Sequence, residues 1–313
     1  MNLIEGVSVI VCSLNRANIF RKLYKAISED ACVREFIFIN DGSTESYTQI
    51  VDEMQKYFGK RGIHFIYLEN ETSRGAPFCR NRGLRHITSR YVFFVDDDMI
   101  FEERFLGILY EGIKKRKSQA VGPRIYYLTK AEYFKKNYIE LDGKVGFTKQ
   151  LINRKAIIGH FDKKISPEII SADFISAVIL YDFDYLRKNS ISFYEGYGGN
   201  AFREETDPQV QLTLAGGEIC YCSDCVCFHL PHEILGKSGQ RKKGIFWYEY
   251  WAIKNNYIFL KRFKEYFEKK YGRPLFMFQI NFILSRIYFY FIRIPKKLRE
   301  LFMRDQSNLR TGD

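Results

Sequence analysis

The sequence predicts an α/β protein built on a mostly parallel sheet, and two observations carry that prediction. Short apolar runs rich in β-branched and aromatic residues alternate with segments whose apolar residues recur at helical spacing. The polar clusters of the first hundred residues follow directly after these runs, as DDDM follows VFFV. Ligands of open parallel sheets bind where the strands end, so a polar site is expected at that edge.

The elements follow in chain order. Strands are predicted at VSVIVCSL, EFIFIN, HFIYLEN and RYVFFVD. Helices are predicted at ANIFRKLYKAIS, where Ile19 and Leu23 share a face, and at YTQIVDEMQKYF, where Ile50 and Met54 do. RGAPFCRNRGLRHI is predicted to be a loop that enters a basic helix. Between residues 120 and 195 the pattern blurs, and SADFISAVILY is the clear apolar run there.

A change of composition near residue 236 predicts two units, a sheet domain at 1–235 and a C-terminal module at 236–313. FWYEYWAIKNNYIFLKRFKEYFEKK is predicted to form one long amphipathic helix. The stretch between Pro274 and Pro295 is roughly 20 residues, enough to span a bilayer, but Gln279 and Arg286 interrupt it. We therefore favour a helix lying in a membrane interface, with packing on the sheet or a dimer contact as the alternative.

Composition limits the classes of function. The 313 residues carry 49 Lys and Arg against 37 Asp and Glu, and a net charge of +12 suits nucleic acid, anionic lipid or a phosphorylated substrate. Seven cysteines, an odd number, and a start without the basic and apolar regions of a signal peptide predict a reducing, cytoplasmic location.

Three carboxylates, Asp96, Asp97 and Asp98, follow a strongly apolar strand. Their mutual repulsion is costly unless a cation relieves it, and hard oxygen ligands suit Mg²⁺ or Mn²⁺. A solvated turn is the alternative. A bound ion would complete its shell with substrate phosphates, for which Arg74, Arg80 and Arg82 offer positive charge. An ordinary basic helix face is equally compatible with these arginines.

A second acidic cluster, in GGNAFREETD, contains Glu204, Glu205 and Asp207. One of these carboxylates could act as a general base on a hydroxyl group. The same residues are also typical of the acidic first turn of a helix.

The stretch ICYCSDCVCFH contains four cysteines and a histidine. Alternation in EICYC and CVCFHL predicts two strands with a turn between them, and the cysteines are predicted to be small buried core residues. The spacing of Cys222 and Cys225 leaves a structural zinc site as the alternative.

Taken in order, SVIVCSLNR, FIFINDGST, RGAPFCRNRGL, VFFVDDDM, FREETD and ICYCSDCVCFH resemble glycosyltransferase family 2 of the GT-A fold, over residues 6–232. The resemblance implies a Rossmann-like, mostly parallel sheet flanked by helices, here with a C-terminal aromatic and basic helical extension. It implies inverting transfer of a sugar from a nucleotide diphosphate sugar, commonly UDP-linked, to a hydroxyl of a glycan or lipid-linked acceptor, with Mn²⁺ or Mg²⁺ as cofactor. A lipid-linked acceptor would place the protein on the cytoplasmic face of a membrane.

The resemblance also implies roles for the donor-binding residues. Ser13, Asn15 and Arg16 fall in the nucleotide-facing loop, and Asp41 matches the acidic residue that contacts the base. Asn40 departs from the family, which frequently has a second Asp there. The remaining donor positions are Arg80 near the diphosphate, Asp96 near the ribose and Asp97 in support.

For the metal, the resemblance implies Asp98, the last residue of the D-x-D motif, joined by His229. For the general base it implies Glu205, where the family usually has Asp, with Glu204 and Asp207 as substitutes. Glutamate can accept the same proton, but with a longer reach.

Two other classes of function compete with this reading. A nucleotidyltransferase would share the sheet and the metal carboxylates, but SLNRAN lacks the glycine-rich phosphate loop expected of one. A nucleic-acid-binding protein would suit the positive charge and the aromatic residues, but acidic motifs lie at the site itself. The basic loop at Arg241, Lys242 and Lys243, beside Trp247, is predicted to cover a donor diphosphate, meet a lipid phosphate or serve as a solvated linker.

Overall fold

A computed structural model describes residues 3–136, 138, 141, 145–148, 150–235 and 243–290. The predictions for Arg241 and Lys242, and for the end of the predicted interfacial helix beyond residue 290, lie outside these ranges. The strands are β1 (Ile4–Ser13), β2 (Val33–Asn40), β3 (His64–Glu69), β4 (Ser89–Asp96), β5 (Met99–Phe101), β6 (Ala120–Tyr127), β7 (Ile152–Asn153), β8 (Ile158–Gly159), β9 (Ile169–Ser171), β10 (Ile179–Asp182) and β11 (Ile219–His229). The helices are α1 (Ala17–Ser28), α2 (Thr48–Arg61), α3 (Ala76–Leu84), α4 (Phe105–Arg116), α5 (Lys130–Lys135), α6 (Phe183–Lys188), α7 (Asp207–Leu214), α8 (Ile245–Arg262), α9 (Lys264–Tyr271) and α10 (Leu275–Tyr288).

The four strands predicted in the first hundred residues form the parallel half of the main sheet, in the order β3-β2-β1-β4. Helices cover both faces of this half, so β1 is apolar on both sides. Val7, Val9 and Val11 point into one core, and Ile10 points into the other. The predicted α/β fold is confirmed, and its polar strand ends meet at one edge.

The second half of the sheet is mixed. Strand β10 lies antiparallel between β4 and β6, and β11 runs parallel to β6 and antiparallel to β5. The pairing of β11 with β5 sets His229 opposite Met99, immediately after the three aspartates. A strand about 130 residues downstream thereby reaches the turn formed by Asp96, Asp97 and Asp98, the carboxylate turn.

The cysteine-rich segment is one strand, β11, and the predicted turn between two strands is wrong. Its pairing with β6 shifts register between Cys222 and Val226, and this irregularity accommodates the change in alternation without a turn. All four cysteines of the strand are buried in the same core, so the prediction of core filling is confirmed. They are Cys220, Cys222, Cys225 and Cys227.

The predicted long C-terminal helix is two helices, α8 and α9, which meet at Phe263. A break there lets Phe259, Phe267 and Phe278 turn into the same core as strands β4 and β10. The described part of the predicted module is therefore packed on the sheet domain. Of the helices that the structure describes, none combines the length and apolar character that spanning a bilayer requires.

Candidate active site

The turn between β4 and β5 is bound to the loop that follows β1. Ser13 donates a hydrogen bond to Oδ2 of Asp97 at 2.6 Å, and Nη1 of Arg16 lies 2.5 Å from Asp97 and 2.9 Å from Asp98. Burial disfavours the charged guanidinium, but the two aspartates outweigh it and raise the pKa of Arg16. Burial also raises the pKa of Asp97, against the influence of Arg16. Arg16 therefore lies between the negative charges of Asp97 and Asp98, and the three side chains form one compact charged group.

Asp98 faces His229 across this turn. Oδ1 of Asp98 is buried without a hydrogen-bond partner among the described residues, and Nε2 of His229 lies 3.5 Å from it. Nδ1 of His229 lies 2.7 Å from the carbonyl oxygen of Leu230, which can only accept. In a neutral imidazole, the lone pair is then on Nε2, the nitrogen nearer to the carboxylate.

This pair fits a divalent cation. Oδ1 of Asp98 and Nε2 of His229 are 3.5 Å apart, and a cation bound by both would satisfy the carboxylate oxygen that has no hydrogen-bond partner among the described residues. Two protein ligands leave positions open for phosphate oxygens, as Mg²⁺ sites commonly do. In the described part of the chain, no group of three or more His, Cys, Asp and Glu side chains is arranged to hold an ion.

Arg80, from α3, joins the carboxylate turn to the second acidic cluster. Its Nη2 lies 2.9 Å from Oδ1 of Asp96, and its Nη1 lies 2.5 Å from Oε1 of Glu204. The arginine side chain is 5% exposed. Burial opposes its charge, yet Glu204 and Asp96 raise the pKa of Arg80. Residues 96 and 204, distant in sequence, are thus neighbours in one site.

The three acidic candidates for the general base have different environments. Glu204 is buried against Arg80, and its Oε2 has no hydrogen-bond partner among the described residues. Glu205 is half-buried, and burial raises its pKa. Asp207 has no exposed surface and accepts hydrogen bonds from Tyr197, Gln211 and Arg262. Of the three residues, Glu205 is the least buried, and its Oε1 lies 3.4 Å from Oγ1 of Thr206.

The predicted base-binding residue Asp41 is buried and organises the loop after β3. It accepts hydrogen bonds from Asn70, Ser73 and the backbone N–H groups of Arg74 and Gly75. Burial alone would raise its pKa, but these donors outweigh burial and lower the pKa of Asp41. The contact of Asp41 with the base of the nucleotide stays a prediction.

Asn15, in the loop after β1, makes a hydrogen bond to the loop after β2. Its backbone is left-handed, with φ of 54°, and its Oδ1 accepts a 2.8 Å hydrogen bond from the backbone N–H of Thr44. The loop after β1 is therefore tied to the loop after β2 as well as to the carboxylate turn.

Two parts of the site were missed by sequence reasoning. Tyr47, at the start of α2, contacts Ser13 at 2.7 Å and accepts a hydrogen bond from the backbone N–H of Arg16 at 2.8 Å. Arg203, directly before the acidic pair, donates a hydrogen bond to Asn256 of α8. The adjacent asparagines of KNN, inside a predicted amphipathic helix, were a signal for buried polar contacts.

Comparison with known proteins agrees with this architecture. The family model "Glycosyl transferase family 2" matches residues 8–189. The poly-beta-1,6-N-acetyl-D-glucosamine synthase of Staphylococcus epidermidis is 26% identical over 249 residues, which are 78% of this chain and 54% of the synthase. The chain spans less than two thirds of the length of each of the first curated relatives it matches.

Two solved structures share the fold. S. aureus TarS 1–349 in complex with UDP-GlcNAc aligns with a TM-score of 0.59 at 14% identity, over 91% of this chain and 73% of that one. The mannosyltransferase PcManGT from Pyrobaculum calidifontis, in complex with GDP-Man and Mn2+, aligns with a TM-score of 0.51 at 15% identity, over 100% of this chain and 79% of that one. The sheet and its site define a GT-A glycosyltransferase fold. The chain belongs to glycosyl transferase family 2.

Proposed function

We propose that the protein is a metal-dependent inverting glycosyltransferase. It would move a sugar from a nucleotide diphosphate sugar, UDP-linked, to a hydroxyl group of a glycan or lipid-linked acceptor in polysaccharide or glycoconjugate synthesis. The observation that carries the proposal is the Arg80 bridge, which brings the proposed base loop at Glu204 to the carboxylate turn at Asp96. The proposal also draws on similarity to a poly-N-acetylglucosamine synthase and to a UDP-GlcNAc complex.

In the proposed reaction Glu205 accepts the proton of the acceptor hydroxyl while its oxygen forms a bond to the anomeric carbon. The bond from that carbon to the diphosphate oxygen breaks, and the diphosphate leaves with the electron pair. Arg16 and Arg80 are the cations that contact the aspartates of the carboxylate turn, and they would stabilise the leaving diphosphate. A divalent ion held by Asp98 and His229 would supply further positive charge beside the leaving diphosphate. Such a displacement inverts the anomeric configuration, which NMR of the product would show.

Nucleotide binding tests the donor site. We expect calorimetric titration with UDP, GDP and dTDP to show that UDP binds, and more tightly with Mn²⁺ than without. Asp98→Asn removes one proposed metal ligand, so we expect it to weaken Mn²⁺-dependent UDP binding by about tenfold or more. Asp224→Asn, at an exposed position of β11, is the matched control. Binding of none of the nucleotides, or a metal response unchanged in Asp98→Asn, would contradict the proposed site.

We also propose that the C-terminal helices contact a membrane, where a lipid-linked acceptor would lie. Large apolar side chains are exposed at helical spacing along α10, at Phe276, Ile280 and Leu284. The chain continues with the basic segment PKKLR, which complements anionic headgroups. A described surface of this kind fits a helix lying at an interface.

Flotation with anionic liposomes tests this surface. We expect the wild type to float with phosphatidylglycerol vesicles and the triple variant Phe276→Ser, Ile280→Ser, Leu284→Ser to stay in the dense fraction. Point substitutions are preferable to deletion of residues 274–313, because Phe278 and Phe282 are core residues. Leu214→Ser removes an equally exposed apolar group elsewhere and is the control. Equal flotation of the triple variant and the wild type would count against membrane contact.

A further inference from the structure

The loop that carries the acidic pair is held from both ends by helix α8. On one side of the pair, Nε of Arg203 donates a 2.9 Å hydrogen bond to Oδ1 of Asn256. On the other side, Asp207 accepts a 2.8 Å charged hydrogen bond from Nε of Arg262. Asn256 and Arg262 both belong to α8. The position of the pair between these anchors is therefore set by a helix outside the sheet.

The start of the same loop is clamped to α8 through its backbone. The side-chain amide of Asn255 donates to the carbonyl of Gly198 at 2.7 Å and accepts from its N–H at 3.2 Å. Gly198 and Gly199 lie against the indole of Trp251, so closely that a Cβ on either would fall within 2.3 Å of a ring atom. No larger residue fits at these two positions without moving the tryptophan.

Between Gly198 and Asp207, the backbone of two residues adopts a conformation that costs free energy. Ala201 and Arg203 are left-handed, with φ of 49° and 80°. Such residues cost about 1–3 kcal/mol each and persist where the surrounding structure fixes them. The contacts with α8 supply that constraint. The loop therefore holds Glu204 and Glu205 in a fixed position.

Arg203 is itself an unusual group, because it is a buried cation. Within the described residues no carboxylate lies at ion-pair distance from it. Besides its hydrogen bond to Asn256, Arg203 donates one from Nη2 to the carbonyl of Ile157 at 2.6 Å. The rings of Phe202 and Phe259 lie 5.1 Å from its guanidinium carbon. Burial lowers the pKa of Arg203 to about 10, which still leaves it charged at neutral pH. A buried charge without a counterion is costly, and its field extends to nearby groups.

We infer that Arg203, held by Asn256, is a positioning residue for Glu205 whose positive charge also stabilises the Glu205 carboxylate. This inference rests on the proposed function, in which Glu205 is the base. The two residues are not bonded to each other. The positive charge therefore acts on Glu205 through space without occupying its oxygens, of which Oε1 accepts one long, 3.4 Å hydrogen bond from Oγ1 of Thr206. A direct ion pair, such as that of Glu204 with Arg80, would occupy them.

Several other groups act on Glu205, and a test has to separate Arg203 from them. Burial raises the pKa of Glu205, and Arg203 opposes this rise more strongly than Arg80 does. The titratable and charged groups facing Glu205 from the elements around it are Arg203, Arg80, Asp96, Glu204, Tyr127 and Tyr181. Variants should therefore change the charge at Arg203 while leaving the others in place.

The experiment is titration of Glu205 by NMR of ¹³Cδ-glutamate-labelled protein, with the resonance assigned by its loss in Glu205→Gln. Arg203→Met removes the charge, and Arg203→Gln removes it while keeping an amide that can donate to Asn256. We expect both to move the Glu205 midpoint to higher pH. Arg203→Lys keeps a charge and should titrate close to the wild type. Arg85→Gln, at an exposed position, is the control for a lost charge and should leave the midpoint unchanged.

The two variants guard against different failures. Should Arg203→Met fail to fold, Arg203→Gln decides, because its amide can still donate to Asn256 without carrying a charge. A midpoint unchanged in folded Arg203→Gln would overturn the inference, since a purely structural role predicts no change there. In a transfer assay, the acidic limb of the pH profile of turnover should move upward in the same variants. If wild-type protein binds no nucleotide while the midpoint still moves, the proposed function fails and the electrostatic role of Arg203 stands.

Discussion

Glu205→Gln is expected to abolish sugar transfer while leaving nucleotide binding intact. The amide keeps the shape of the side chain but cannot accept the proton of an acceptor hydroxyl, and loss of a general base typically costs 10²–10⁴-fold in rate. Turnover measured as UDP release from a UDP-sugar in the presence of acceptor, beside calorimetry with UDP, separates the two effects. Glu205 is the half-buried residue of the acidic cluster, whereas Glu204 and Asp207 are buried.

Two further variants make this result specific. Glu103→Gln makes the same change at an exposed position and should keep full turnover. Glu205→Asp restores a carboxylate with a shorter reach and should recover part of the rate. Turnover of Glu205→Gln within a few-fold of the wild type would move the base role to another residue. Asp207 is a poor alternative, because its oxygens are taken up by Tyr197, Gln211 and Arg262.

Arg80→Met is expected to be the most destabilising single substitution in the site. It leaves the buried Glu204 without a counterion and removes a partner of Asp96. Breaking a buried ion pair from one side typically costs about 3–5 kcal/mol. Urea unfolding at pH 7.5 measures the loss, and Arg85→Met, at an exposed position of the segment after α3, should cost little.

The cost of Arg80→Met should depend on pH. Burial raises the pKa of Glu204, and Arg80 holds it down, so removing the arginine raises it further. A carboxyl group with a raised pKa in the folded state stabilises the fold at low pH, and that contribution is lost as pH rises through the folded pKa. With Arg80 in place the pKa of Glu204 is raised to about 8, so the difference from the wild type should be smaller near pH 6 than near pH 9. Adding Glu204→Gln to Arg80→Met should recover stability, and failure to do so would show that the pair is not the source of the loss.

Local patterns were sufficient for much of the fold. The runs VSVIV, FIFI and VFFV are too apolar and too short for anything but strands buried on both faces, and the intervening helices force them to be parallel. The mixed half of the sheet was not predictable in the same way. Strand β10 has few residues, and its antiparallel placement between β4 and β6 depends on contacts made far along the chain.

The cysteine segment and the C-terminal helix show where local patterns mislead. Alternation in ICYCSDCVCFH changes phase between Cys222 and Cys225, which in isolation indicates a turn. A register shift against β6 produces the same change of phase inside a continuous strand. In the same way, one helical period runs from residue 246 to 270, and packing of Phe259 and Phe267 in a common core accompanies the break at Phe263.

The sequence by itself determined the parallel half of the sheet, the polar edge and the motif residues assigned to the site, because these depend on short-range periodicity and on residue type. The tertiary structure decided which of those residues meet. Arg80 was one basic residue among several until the fold set it between Asp96 and Glu204, and His229 came beside Asp98 through the pairing of β11 with β5. Arg203 lay inside FREETD without an assigned role, and Asn256 belonged to no motif. Their contact joins a loop to a helix some 50 residues away, and the free energy of such a contact depends on burial that one-dimensional patterns do not encode.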